Sequence, residues 1–161
     1  MKKKIIFSAR DVAAAYSIKN LISFFSKKKN YEIFLITTHP ASKIFQTSKL
    51  NFEHKIIGDN ISKKKLFNFL KKYVKKIKPS FVISGLSGLN KGIDEALIFV
   101  AGENNIISFS YQDFHGDVNE GYGKFPDYYL VTDKLASKLT FQRTKTKSFE
   151  LGYLNYKKIP Y

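Results

Sequence analysis

Four polar residues follow one another closely in Gln112-Asp113-Phe114-His115-Gly116-Asp117. They are the best candidates in the chain for hydrogen bonding and proton transfer. A histidine acts as a base near neutral pH when a carboxylate orients it. Asp113 and His115 are therefore the candidate catalytic pair, and Gln112 and Asp117 candidate ligand contacts. Asp113 and His115 lie only two positions apart, so their facing each other does not follow from the spacing. A second cluster is the glycine-rich stretch Ser84-Gly85-Leu86-Ser87-Gly88-Leu89-Asn90-Lys91-Gly92. Its spacing, Gly85-x2-Gly88-x3-Gly92, matches neither the dinucleotide fingerprint nor the phosphate-binding loop. Free N–H groups at the start of the following helix are suited to a phosphate or carboxylate, with Lys91 adding charge. A turn that uses glycine for backbone freedom accounts for the same residues. Ser8 and Arg10 stand at a third such position, near the N-terminus. The candidate ligand-binding set is thus Ser8, Arg10, Ser84, Gly85, Ser87, Gly88, Lys91, Gln112 and Asp117.

These residues gain meaning from the elements that hold them. Lys3 to Ala9 has the continuous apolar centre of a strand covered on both faces. Asp11 then caps a helix from Val12 to Ser26, whose apolar stripe runs through Ala15, Ile18, Leu21, Ile22 and Phe25. Tyr31 to Thr37 is a second strand, followed by a short helix from Pro40 to about Thr47, and Phe52 to Ile57 is a third strand. Ser62 caps a helix over Lys63 to Lys78. Phe81 to Ile83 is a strand that stops at the glycine loop, and a helix begins at Ile93. Asp94 and Glu95 in its first turn complement the helix dipole. Ile106 to Tyr111 is the fifth strand and Asp127 to Val131 the sixth. Val118 to Pro126, between them, reads as a mobile loop. A helix over Lys134 to Arg143 follows, with Phe149 to Tyr153 as a candidate last short strand. Alternating strands and helices predict an α/β fold: a three-layer, Rossmann-like, doubly wound sheet, mostly parallel, of about six strands. All the polar candidates then fall after strands, at the edge where such sheets bind ligands.

The totals set limits. A chain of 161 residues, 43% hydrophobic and 16% aromatic, suits one globular domain over 1–161. Cysteine is absent, which excludes disulfides and thiolate chemistry. Three scattered histidines make no metal site, and neither a metal nor another cofactor is expected. No apolar run approaches the roughly 20 residues of a membrane-spanning helix, the N-terminus reads as a strand and not a signal peptide, and a cytoplasmic location is expected. The formal charge is +15, yet of 28 basic residues only Arg10 and Arg143 are arginine. Proteins that read phosphates or bases usually exploit the guanidinium fork, so the composition argues against a nucleic-acid partner. Eight lysines (63, 64, 65, 71, 72, 75, 76 and 78) cover one helix. It reads as an ordinary covering helix, with a peripheral membrane contact as the second reading.

A family resemblance rests on several short stretches. They are Ile5 to Arg10 at the first strand end; Lys78-Pro79-Ser80-Phe81-Val82-Ile83-Ser84-Gly85; Asp94 to Leu97, followed by Ile106 to Ser108 and Tyr111 to Asp113; and Tyr129 to Asp133 with Leu135-Ala136, leading to Glu150 to Tyr153. In this layout the chain resembles the N-terminal Rossmann-like half of GT-B-type glycosyltransferases and of the related UDP-N-acetylglucosamine 2-epimerases. The resemblance implies an acceptor-binding half, with the base and acceptor contacts in the loops at Arg10, Gly85–Lys91 and Asp113–Asp117. It also implies that the C-terminal, donor-binding half is missing and would come as a separate partner. An exposed apolar surface near Leu151 to Tyr161 is then expected, where that half would pack. The competing expectation is a self-sufficient Rossmann- or flavodoxin-like domain that binds a phosphorylated or nucleotide ligand. A small sugar or phosphorylated ligand is the expected partner in both.

Overall fold

The computed structural model describes residues 2–46, 48–88, 91–118 and 120–154. Seven strands form one sheet in the order β3-β2-β1-β4-β5-β6-β7, and every neighbouring pair is parallel. They are β1 (Lys3–Ala9), β2 (Tyr31–Thr37), β3 (Glu53–Ile56), β4 (Phe81–Ser84), β5 (Ile107–Tyr111), β6 (Tyr128–Val131) and β7 (Lys147–Glu150). The sheet therefore has one strand more than the six expected. The last strand ends three residues before the Tyr153 suggested by the sequence, pairing Leu130 with Phe149 and Val131 with Glu150. Five helices connect the strands: α1 (Val12–Ser26), α2 (Ala41–Gln46), α3 (Lys63–Ile77), α4 (Ile93–Glu103) and α5 (Lys134–Thr144). Asp11, Ser62 and Asp133 cap α1, α3 and α5, each accepting a backbone N–H from the first turn.

Side chains alternate across the sheet and build two cores. Ile5, Phe7, Ile33, Leu35 and Ile83 pack against α1 and α2. Ile6, Phe34, Ile36 and Val82 face the other way, against α3 and α4. Tyr129 and Val131 extend that second side beneath α5 through Ala136. On the α1 side the helices are α1 and α2, while the β5–β6 connection packs Val118 and Phe125 on the opposite side, against Tyr129 and Val131. Among the described residues, therefore, no helix is centred over β5 and β6 on the α1 side. An apolar groove of about 530 Å³ remains there, between Phe24 and Phe25 of α1, Phe109 and Leu130 of the sheet, and Leu151 and Leu154 beyond β7.

Candidate functional site at the carboxyl edge of the sheet

Because β1 and β4 are adjacent and parallel, with Ser8 opposite Ser84, their ends meet where the strand order reverses. Two loops close on each other at this point. Gly85 N–H donates to the Ser8 carbonyl (2.9 Å), and Gly88 N–H donates to Asp11 Oδ2 (3.2 Å). A Cβ on Gly85 would sit 2.5 Å from the Ala14 Cβ, so only glycine lets the loop pass this close to α1.

Asp94 lies at the centre. Its carboxylate accepts from Ser8 Oγ (2.6 Å), Ser87 Oγ (2.6 Å) and the Arg10 backbone N–H (3.1 Å). Glu95 beside it accepts from Gly92 N–H (2.7 Å) and lies 4.0 Å from the Arg10 guanidinium. Both carboxylates are buried. Burial raises the Asp94 carboxyl to about 7, the Glu95 charge adds to this, and Ser8, Ser87 and Arg10 oppose it. Glu95 is also raised, again chiefly by burial. Arg10 donates to the Gly88 carbonyl, while its buried Nε has no partner among the described residues. The guanidinium borders an open cleft of about 490 Å³, shared with His39, Asp59, Lys63, Lys91 and Tyr122. The Lys91 ammonium lies 5.7 Å from the Tyr122 ring centroid.

The candidates from the sequence thus divide. Ser8, Arg10, Ser87 and Gly88 converge on Asp94 and its neighbours, and Lys91 stands at the mouth of the adjoining cleft. Ser84 turns away, donating to Ser110 Oγ (3.1 Å). Leu89 and Asn90 of the glycine loop lie outside the described residues. Gln112 is fully buried; its amide donates to Thr140 Oγ1 (2.9 Å) and to the Asp117 carbonyl, which ties the loop after β5 to α5. His115 does not meet Asp113. Its Nε2 lies 2.8 Å from Asp133 Oδ2 and 3.4 Å from Tyr153 Oη. Asp113 is half-buried, and its carboxyl is raised mainly by desolvation and further by Asp11 and Asp117. Among the described residues, no group of three or more histidines and carboxylates is arranged to hold a metal. No helix among them is long and apolar enough to cross a membrane.

In the sequence Asp94 and Glu95 stood as helix-dipole partners and as part of the family resemblance, not as site residues. One signal pointed further: from Ile93 to Ala101 the helix shows apolar residues on every face. An acidic pair inside such a helix has to be buried with it. The Val118–Pro126 segment, expected to be mobile, is anchored in part. Gly121, at φ +46°, packs on Glu95, and Tyr122 packs edge-on against Phe67 with centroids 4.9 Å apart. Asn119 lies outside the described residues.

No family model matches the sequence, and no curated protein sequence matches it. Solved structures do. A Staphylococcus aureus MnaA–UDP co-structure superposes with a TM-score of 0.73 at 16% identity, over 98% of this chain and 50% of that one. The UDP-GlcNAc 2-epimerase from Neisseria meningitidis, bound to UDP-GlcNAc, gives 0.68 at 12% identity, over 94% and 47%. Acinetobacter baumannii MurG gives 0.62 at 10% identity, over 84% and 42%. The chain has the fold of half such a molecule. It spans about half the length of the structures it matches, as the resemblance to UDP-GlcNAc 2-epimerases and GT-B glycosyltransferases implied.

Proposed function

We propose that this chain is the acceptor-binding half of a glycosyltransferase or sugar-nucleotide enzyme and works with a separately supplied C-terminal half. The observation that carries this reading is the bare apolar groove at the end of β7, in a chain that spans half of its UDP-binding and UDP-sugar-binding neighbours. Leu151 and Tyr153 are exposed beside that groove, where a missing half was expected to pack; 155–161 lie outside the described residues. In this reading Asp113 removes the proton from an acceptor hydroxyl, and the desolvation that raises its carboxyl makes it a stronger base. His115, oriented by Asp133, is the second candidate for that role. Arg10 and Lys91, on the cleft, contact an anionic group of the ligand. Ser8, Ser84, Gly85, Ser87 and Gly88 shape the loops around it, and Gln112 and Asp117 hold the loop that carries the base.

A second reading is a self-sufficient binding domain for a phosphorylated or nucleotide ligand. What favours it is that the cleft with Arg10, Lys63 and Lys91 is built within this chain alone. A thermal-shift screen against UDP, UDP-sugars, sugars and sugar phosphates separates the two. A ligand that binds only the folded state stabilises it by about 2.7 kcal/mol at a hundred times its dissociation constant. Stabilisation by sugars or sugar phosphates but not by free nucleotide supports the acceptor half. Stabilisation by free nucleotide favours the binding domain and counts against the first reading.

A further inference from the structure

Residues 63 to 78 contain eight lysines and no carboxylate. At 3.6 residues per turn, Lys64, Lys65, Lys71, Lys72, Lys75 and Lys76 fall on one outer arc of α3, roughly 140° wide, and all six are exposed. Among the described residues, the one ion pair formed by these lysines is Lys71 with Glu103 at 3.1 Å. Such a density of like charge on one face destabilises the isolated fold through self-repulsion, which an external anionic partner would relieve. Beside it, between α3 and α4, runs a trough of about 720 Å³ floored by Phe67, Phe99 and Tyr122 and edged by lysines.

The rings are arranged in a way that selects among anions. Phe67 meets Phe99 and Tyr122 edge to face, at 74° and 83°. Lys63 lies over both Phe67 and Tyr122, 5.8 and 5.0 Å from their centroids, and Lys91 lies over Tyr122 as well. Cations and neighbouring rings thus occupy the positions a stacked base would take, and the surface offers no guanidinium fork. An anionic bilayer makes neither demand. It requires a dense, accessible field of positive charge, with aromatic side chains able to sit at headgroup level.

We infer that the α3 face and its trough form a docking surface for an anionic lipid bilayer. Lys63, Lys91 and Tyr122 line both the trough and the cleft at Arg10, so docking brings the carboxyl edge of the sheet towards the headgroups. The inference does not rest on the function proposed above.

The test is co-sedimentation of the full chain with vesicles of phosphatidylcholine alone or mixed with phosphatidylglycerol. One variant reverses four charges on α3 (Lys64→Glu, Lys72→Glu, Lys75→Glu, Lys76→Glu). A control reverses four exposed lysines elsewhere (Lys29→Glu, Lys43→Glu, Lys134→Glu, Lys138→Glu). Lys→Gln versions of both sets guard against misfolding. Expected are salt-sensitive binding to the anionic vesicles only, a loss of about tenfold or more in the α3 variants, and little change in the controls. Equal losses in both sets, absence of binding to anionic vesicles, or tighter binding to single-stranded RNA at the same salt concentration would each overturn the inference.

Discussion

Ser8 Oγ donates to Asp94 Oδ1 across 2.6 Å, joining the end of β1 to the first turn of α4, 86 residues later. Both groups are buried, so the contact is a fixed part of the loop closure. Replacing Ser8 by alanine leaves a buried carboxylate one donor short and is expected to cost about 1–3 kcal/mol in urea denaturation. Because Ser8 favours the ionised form of Asp94, the loss should be larger at pH 8 than at pH 5. An equal loss at both would mean that Asp94 is in the same protonation state throughout.

The pH dependence of the parent protein follows from the same carboxyl. An unfolded aspartate titrates near 3.9, whereas folded Asp94 holds its proton up to about 7. Between these values the folded state binds more protons than the unfolded one. The contribution of this group is therefore greatest at the acid end of the window and is lost as pH rises through about 7. Denaturation midpoints measured from pH 5 to 8 should show this decline, and Asp94→Asn should reduce it to the part contributed by Glu95, whose carboxyl is also raised by burial.

Gly85 separates packing from flexibility. A methyl group there meets the Cβ and backbone of Ala14, whereas one on Gly88 meets nothing within 4 Å. Gly85→Ala is expected to destabilise by about 1–3 kcal/mol through overpacking, and Gly88→Ala by less than about 0.5 kcal/mol. Equal effects in chemical denaturation would show that the loop relaxes away from α1.

Gln112 anchors the loop that carries Asp113 and His115. Gln112→Ala leaves Thr140 and the Asp117 carbonyl without this partner, and a cost of about 1–3 kcal/mol is expected. Amide hydrogen exchange should rise over 113–118 in this variant, with β1 and β2 unchanged. Uniform exchange across the chain would instead mark global destabilisation.

Arg10 is the cation nearest the buried acidic pair, and it also faces the cleft. Arg10→Ala should lower stability by about 1–3 kcal/mol and remove any thermal stabilisation by sugar phosphates. Retained stabilisation by those ligands would place their anionic group away from Arg10.

The alternation of strands and helices, their approximate bounds and the gathering of polar residues at one sheet edge were all legible in the sequence. Each depends on local periodicity, caps and turn residues within a short window, such as Asp11 before α1 or Ser62 before α3. The partners at the edge depended on strand order, which no window contains. Placing β1 beside β4 brought Ser8 and Arg10 to Asp94 and Glu95. Placing β6 beside β5 gave His115 the carboxylate of Asp133 in place of that of Asp113. The groove over β5 and β6 was likewise a tertiary outcome. Burial of a strand face depends on which helices cross over it: the connections β1–β2 and β2–β3 put α1 and α2 on one face, whereas those from β3 onward run the other way along the sheet and lie on the opposite face.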